Sequence, residues 1–296
     1  MAARLRMPLV AISVIGFVVV AIASPGGWWY AGAVALYMCA IALYVRVGTP
    51  RGRSVDISSP VHGRWLTVNS PSTRVPSHGI HGWAQTHACD LVAEPDSDDR
   101  PPAGWWPLAR RPDDYPGFGA ELRSPVDGVV VRSIDAMRDH WSRTSPLGIL
   151  YLIVEMVREL FGPIGILGNY LVIRSDGERD VYVAMAHLQR RSLTVRSGDR
   201  VAKGDLVARC GNSGNSTEPH LHIQVMDKAS PWIAAGVPFT IDGKPLPPTD
   251  DHLHIAARDS CSHNRAGSEK HRHTCPPTVP PHDRETSPTP QRHGAR

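Results

Sequence analysis

Two apolar segments near the start of the chain restrict its fold more than any other feature. They cover residues 8–24 and 28–46, and the turn-forming run Pro25-Gly26-Gly27 separates them. Each is close to the roughly 20 apolar residues that a helix needs to cross a bilayer. Aromatic residues open the second segment, as is common at the boundary between lipid and water. We therefore predict a membrane anchor of two helices within residues 1–53.

A secretory signal peptide is the alternative interpretation of the first segment. Arg4 and Arg6 would be its basic end, and Ala21-Ile22-Ala23 would be its cleavage site. The second apolar segment follows at once, which favours two spanning helices. Arginines also follow the pair, between residues 46 and 53, so the positive-inside rule would place both ends in the cytoplasm.

The middle of the chain, residues 54–247, has the pattern of short strands separated by glycine-containing turns. Residues 170–185, for example, contain two apolar runs around Ser175-Asp176-Gly177, which predicts a hairpin. The expected fold is mainly β, an antiparallel sandwich or open barrel. A surface loop at 95–119 and an amphipathic helix at about 147–166 are expected to interrupt it.

The end of the chain and its overall charge exclude several classes of function. Residues 248–296 are rich in Pro, His, Ser and Thr, with little to bury, and this composition predicts a disordered tail. The net charge of +4 is modest and no basic run is interleaved with aromatics, so nucleic acid is excluded as a partner. Five cysteines show no spacing typical of a metal knuckle or a disulfide framework.

Histidine is abundant, with 15 residues, so ligands have to be separated from solvated side chains. His220 and His222 lie two residues apart in an apolar run, and on a strand both imidazoles face the same side. Asp90 also lies among apolar residues, and His78, His81 and His87 precede it. A catalytic zinc takes three protein ligands and leaves a position for water. These residues therefore make Zn2+ the expected cofactor.

These motifs resemble those of the lysostaphin-like, LytM-type zinc metallopeptidases of bacterial cell walls. The resemblance covers about residues 75–226, and it is most specific in the glycine-containing run 198–216. It implies a duplicated hybrid β fold in which Asp90 and His222 bind zinc. It also implies catalytic roles for His187, in the run Ala186-His187-Leu188, and for His220.

The first zinc ligand is the point at which the chain departs from the family pattern. Many members place three residues between the first histidine and the aspartate, but Thr86 occupies that position here. Other members have a longer insertion, and His81 then fits best, with His78 as the alternative and His87 third. The resemblance thus implies His81, Asp90 and His222 as metal ligands.

The resemblance implies a zinc metalloendopeptidase that hydrolyses peptide bonds of peptidoglycan at the membrane. Its catalytic domain is then expected outside the cytoplasm, although the arginine distribution argues the other way. The alternative is a non-catalytic module that binds zinc or cell wall and activates another hydrolase, with a regulatory partner protein of unknown identity. A biotinyl- or lipoyl-type carrier domain is disfavoured, because the chain lacks a Met-Lys-Met attachment site.

A second His-x-His motif, His252-Leu253-His254, repeats the spacing of the first one. It follows a proline-rich stretch and has no glycine loop before it. We therefore expect it to be part of the solvated tail.

Overall fold

The computed structural model describes residues 2–23, 26–46, 52–95, 100–146, 158, 161–177 and 179–256. Two long helices open the chain, α1 at Ala2–Ala23 and α2 at Gly27–Arg46, and they pack against each other. Within them, Leu5–Ala23 and Gly27–Val45 are long and apolar enough to cross a membrane, a property that a signal sequence shares. The predicted pair of apolar helices is therefore present, and membrane insertion stays a prediction.

Strands dominate the described part of the chain after these helices. In chain order they are β1 Val55–Ile57, β2 Gly63–Val68, β3 Cys89–Ala93, β4 Glu121–Arg123, β5 Gly128–Ile134, β6 Tyr170–Ser175, β7 Tyr182–Ala186, β8 Arg200–Val201, β9 Leu206–Arg209, β10 Leu221–Met226, β11 Gly236–Val237, β12 Phe239–Ile241 and β13 His252–Ile255. Short 3-10 helices occupy Gly82–His87 and Pro112–Asp114, and a five-residue α-helix occupies Pro163–Leu167.

Most of the strands form one sheet with the order β13-β2-β3-β10-β7-β6-β5-β8, and β11 adds to β10. Every pairing in this sheet is antiparallel. A separate antiparallel pair joins β4 to β9, and a parallel pair joins β1 to β12. The prediction of a mainly β, antiparallel fold is confirmed.

The sheet is covered on both faces, which explains the continuous apolar runs of its central strands. In β6, Leu171 and Ile173 belong to one buried cluster, whereas Tyr170 and Val172 belong to another. Strand side chains alternate between faces, so the two clusters lie on opposite sides of the sheet. The second cluster also contains residues from both long helices, which places one end of the helical pair against this face.

Four residues of the segment 248–296, which was expected to be a disordered tail, form a strand. His252–Ile255 forms β13, an edge strand paired with β2, and Leu253 packs against the core. The expectation of a solvated tail is wrong for these four residues, because they pair with the edge of β2, Leu253 packs against the core and His252 contacts Glu94. Residues 257–296 lie outside the described residues.

The two predicted interruptions of the sheet are only partly described. The described part of the loop at 95–119 contains a 3-10 turn at Pro112–Asp114 and an isolated β-bridge between Arg110 and Ser142, and residues 96–99 lie outside the described residues. Of the helix predicted at about 147–166, residues 147–157 and 159–160 lie outside the described residues. The short helix Pro163–Leu167 overlaps its end.

Candidate metal and catalytic site

Three side chains from distant parts of the sequence converge on one face of the sheet. His78 Nε2 lies 3.1 Å from Asp90 Oδ2, and His222 Nδ1 lies 2.9 Å from Asp90 Oδ1. All three offer one ligand atom within 4.8 Å of the others. Asp90 on β3 and His222 on β10 are direct partners across the two strands, which places their side chains side by side.

The loop that precedes β3 brings one of the three upstream histidines to Asp90 and places the other two elsewhere. His81 forms a hydrogen bond between its Nδ1 and Thr86 Oγ1 at 3.0 Å, and it is not one of the three converging residues. His87 is also outside that group. The structure therefore brings His78, the alternative in the sequence analysis, to Asp90 in place of His81.

The surroundings of Asp90 favour its ionised carboxylate form. Asn69 Nδ2 donates to its Oδ2 at 2.9 Å, so both carboxylate oxygens have polar partners. Burial opposes ionisation, but the neighbouring His78 and His220 outweigh it and hold the pKa of Asp90 well below its ordinary value. A carboxylate that is deprotonated and oriented is ready to bind a metal.

His187 and His220 lie beside this group. The ring centroid of His187 is 4.7 Å from that of His220 and 5.7 Å from that of His222. His187 directly follows β7, whose last residue pairs with His222 on β10. The two residues that the resemblance implied as catalytic are thus brought to the same site as Asp90 and His222.

The tautomers of the two histidines follow from their hydrogen bonds. His187 Nδ1 lies 2.9 Å from the carbonyl oxygen of Ser213, and His220 Nδ1 lies 2.8 Å from that of Glu218. A carbonyl oxygen only accepts, so each Nδ1 carries a proton. In the neutral rings Nε2 is then unprotonated and free to exchange a proton at the site.

The pKa values of the two histidines are shifted in opposite directions. Burial, together with the neighbouring His220 and His222, holds the pKa of His187 well below its ordinary value. Burial also lowers the pKa of His220, but Asp90 outweighs it and the net shift is upward.

The backbone of His187 is left-handed, with φ of 59°. This conformation is unfavourable for a residue that has a side chain, and it occurs often at functional sites.

The side chains that support the site were missed by the sequence analysis. Gln224 Oε1 lies 2.9 Å from His222 Nε2, and Asn69 contacts Asp90. Gln224 follows His222 by two residues on β10, so strand alternation could have indicated that it shares the same face. Asn69 lies beyond the end of β2, and no sequence spacing links it to Asp90.

Two adjoining cavities open at the site. One of about 290 Å³ is lined by residues that include His78, Asp90, His187 and His222. A larger one of about 970 Å³ is lined by Arg64, Glu94, Arg100, Arg143 and Glu218, among others. Thr217 lines both cavities, so they adjoin at this residue.

The loop at 95–119 contributes to the wall of the larger cavity. Arg100 binds the Glu218 carboxylate with two hydrogen bonds, of 3.2 Å from Nε and 2.6 Å from a terminal nitrogen. The Glu218 backbone carbonyl in turn accepts from His220. Glu218 therefore links the two residues, because its carboxylate binds Arg100 and its backbone carbonyl binds His220.

The converging groups fit a catalytic zinc. Two imidazole nitrogens and one carboxylate oxygen are a ligand set that zinc accepts, and three protein ligands leave a fourth position for water. His222 has the supporting hydrogen bond on its other ring nitrogen that zinc-binding histidines usually have.

Comparisons with known proteins give one family match and several similar structures. Residues 153–233 match the model of peptidase family M23, a segment that contains His187, His220 and His222 and begins after His78 and Asp90. Among solved structures, the catalytic domain of the antimicrobial peptidase lysostaphin from Staphylococcus simulans is similar at 16% identity, covering 53% of this chain and 76% of that chain, with a TM-score of 0.30. A zinc-containing peptidase from Vibrio cholerae is similar at 20% identity, covering 65% of this chain and 42% of that chain, with a TM-score of 0.28.

A third similar structure is that of LytU, at 19% identity, covering 64% of this chain and 85% of that chain, with a TM-score of 0.30. The chain spans 37% and 40% of the length of two further lysostaphin structures. The match of residues 153–233 to peptidase family M23 confirms the resemblance of this chain to the lysostaphin-like, LytM-type metallopeptidases.

Proposed function

We propose that this protein is a zinc metalloendopeptidase that hydrolyses peptide bonds of peptidoglycan at a membrane. The observation that carries the proposal is the convergence of His78, Asp90 and His222 within 4.8 Å, with His187 and His220 beside them. These five residues come from four separate stretches of the chain. The match to a peptidase family supports the same function.

In this proposal His78 Nε2, one oxygen of Asp90 and His222 Nδ1 hold the metal. His78 takes the place that the sequence analysis gave to His81, because its Nε2 is the one that lies near Asp90. Zinc bound there would supply Lewis-acid activation of water and of the scissile carbonyl. The protein residues provide the remaining chemistry.

His187 is the proposed general base. It is buried, its pKa is lowered, and its Nδ1 proton is committed to Ser213, so its unprotonated Nε2 can accept a proton from the attacking water. His220 has a raised pKa and is the proposed donor to the oxygen on which negative charge develops. The opposite pKa shifts of two adjacent histidines favour this division of roles.

A peptide substrate needs more room than the cavity at the metal ligands. The larger cavity shares Thr217 with it and can accommodate the chain on one side of the scissile bond. Its charged lining of arginine and glutamate side chains suits a polar peptide better than an apolar ligand.

We further propose that α1 and α2 anchor the enzyme, with the β domain outside the cytoplasm. Met7 near the start of α1 and Tyr44 near the end of α2 pack in the same buried cluster as Trp83. This supports a hairpin whose two outer ends lie on the side of the β domain. A reporter fused at the C-terminus that is active only in the cytoplasm would contradict this orientation.

The test is hydrolysis of purified peptidoglycan by the full chain in detergent, with and without a chelator, followed by mass spectrometry of the products. The full chain is needed because a fragment ending at residue 247 would lose β13, and one starting at residue 54 would lose the helices that pack on Trp83. New peptide termini that disappear with chelator and return with zinc are expected. A folded, zinc-loaded chain that releases no products would contradict the proposal and favour the non-catalytic alternative.

A further inference from the structure

Gln224 lies on the same face of β10 as His222 and is completely buried. Its side-chain oxygen lies 2.9 Å from His222 Nε2, and its side-chain nitrogen donates to the carbonyl oxygen of Trp83 at 3.0 Å. Neither hydrogen bond is required by the sheet, because both use the side chain of Gln224. The residue therefore links a metal ligand to the segment around Trp83.

This link fixes the orientation of the His222 ring. The Trp83 carbonyl only accepts, so the amide nitrogen of Gln224 faces it and the amide oxygen faces His222. That oxygen also only accepts, so His222 must donate from Nε2. Nδ1 is then the ring nitrogen directed at Asp90, whose carboxylate accepts its proton in the metal-free protein, and it is the nitrogen that a metal would bind.

The segment around Trp83 does not hold its own conformation. Trp83 and Ala84 both have left-handed backbones, with φ of 55° and 63°. Residues with side chains rarely adopt this conformation, and it persists only where the surroundings enforce it. Packing from neighbouring elements must therefore keep the Trp83 carbonyl directed at Gln224.

The helical pair supplies part of that packing. The ring of Tyr44 lies against Gly82 so closely that a methyl group at Gly82 would overlap it. The Tyr44 carbonyl accepts the backbone N–H of His81 at 3.3 Å. On the other side, a methyl group at Gly236 would lie 2.6 Å from the Ala84 carbonyl oxygen, so β11 closes on the same segment.

We propose that Gln224 is a positioning residue for His222, and that the docking of Tyr44 on Gly82 supports it through Trp83. The helical pair then has a second role beside anchoring, because it holds the segment that fixes the ring orientation of a proposed metal ligand. The proposal deepens the zinc site described above and rests on it. It predicts that disturbing the end of α2 weakens zinc binding at a distance.

The first test compares Gln224→Leu with Gln224→Glu in the full chain. Leucine removes both hydrogen bonds at similar volume, whereas glutamate keeps an acceptor for His222 Nε2. Histidine ring nitrogen NMR of the zinc-loaded protein reports the hydrogen-bonded Nε2 proton of His222, and competition with a chromophoric chelator reports the zinc Kd. We expect Gln224→Leu to lose the signal of this hydrogen-bonded proton and to weaken zinc binding by about 10–100-fold.

Gln224→Glu is expected to keep the Nε2 proton signal and most of the affinity, and Gln189→Leu serves as the control. An unchanged Nε2 proton signal and zinc Kd in folded Gln224→Leu would overturn the proposal. These readouts are independent of peptide hydrolysis. A chain that shows the Gln224 effects but cleaves no peptidoglycan would keep the positioning role and lose the proposed function.

The second test is a double-mutant cycle between Tyr44 and Gly82. Gly82→Ala should displace the Tyr44 ring and weaken zinc binding several-fold. In a Tyr44→Ala background the added methyl group meets no ring, so Gly82→Ala should have no further effect. An equal effect of Gly82→Ala in both backgrounds, or none in either, would show that the helix contact does not reach the metal site.

Discussion

Among the described residues, two His-x-His motifs contribute to strands of one sheet, and one of them belongs to the candidate metal site. His222 lies on β10 with His220 directly before this strand, and His252 and His254 flank Leu253 on β13. Each motif even has a carboxylate nearby, since His222 contacts Asp90 and His252 contacts Glu94. Sequence spacing and one acidic neighbour therefore do not distinguish them.

Their positions in the sheet do distinguish them. β10 is an inner strand, and its neighbours β3 and β7 bring Asp90 and His187 to the two sides of His222. β13 is an edge strand with β2 as its neighbour. His222 is 1% exposed, whereas His254 is exposed to solvent. A metal site thus needs the ligands and hydrogen bonds that flanking strands deliver, and an edge strand offers them from one side.

The largest expected difference between the two motifs is in zinc-dependent activity. His222→Ala removes a proposed ligand, and we expect zinc to be lost and peptidoglycan hydrolysis to fall to the level seen with chelator. His252→Ala should retain bound zinc and activity within a factor of about two, as usual for a change away from the site. Metal content and product release, measured on the same preparations, check both outcomes. Equal losses in the two variants would break the comparison.

His220→Ala should separate catalysis from metal binding within the first motif. We expect the rate to fall by about 10²–10⁴-fold, the typical contribution of a positioned proton donor or acceptor. Zinc should remain bound, because His220 is not among the three converging ligand atoms. The measurement is kcat on a soluble peptidoglycan fragment together with metal content.

His254→Ala is the matched control for that variant, since it removes the exposed partner of the second motif. It should leave kcat unchanged. Full activity in His220→Ala would remove the proposed role of His220, whereas loss of zinc in that variant would make it a ligand.

The choice between His78 and His81 sharpens the description of the first motif's metal site. His78→Ala should weaken zinc binding by more than the roughly 10–100-fold expected for a residue that only supports a ligand. His81→Ala should change the zinc Kd only a few-fold, because its side chain is bonded to Thr86. Chelator competition measures both values. The reverse result would restore the assignment made from the sequence.

For the first motif, the sequence predicted the face of the strand and two neighbouring site residues, but it did not predict the path of the loop before β3 or the hydrogen bonds that support His222. Alternation on a strand places His220 and His222 on one face, and family resemblance adds Asp90 and His187. The step from His81 to His78 depends on how a loop folds between β2 and β3, and residue spacing does not encode that path. Gln224 was within reach of the alternation argument, but its role depends on the Trp83 carbonyl, which lies far away in the sequence.

The second motif shows the opposite error. Its composition indicated a solvated tail, because few residues there can be buried. Leu253 packs against the core, the strand pairs with the edge of β2, and His252 contacts Glu94. Composition reports how much a segment can bury in total, and it does not report backbone pairing or a single ionic contact.

The smallest expected effect is on the free energy of unfolding, and it concerns the contact between His252 of the second motif and Glu94. The hydrogen bond from His252 is the main cause that lowers the pKa of Glu94, and burial opposes it. The folded pKa therefore lies below the unfolded value of about 4.3, so the stabilisation is present above that value and is lost as the pH falls through the folded pKa. Glu94→Gln should lower the free energy of unfolding by up to about 1 kcal/mol at pH 6.

That difference should shrink as the pH falls below 4, and urea unfolding of both chains across this range measures it. Asp113→Asn is the control, because its pair with Arg111 is much more exposed and should contribute nothing measurable. A Glu94 effect that stays constant or grows on acidification would contradict the assigned direction. A carboxylate that stabilises the fold only when it is ionised must lose that effect in acid. If Glu94 did not, its contact with His252 would not be the source of the stabilisation.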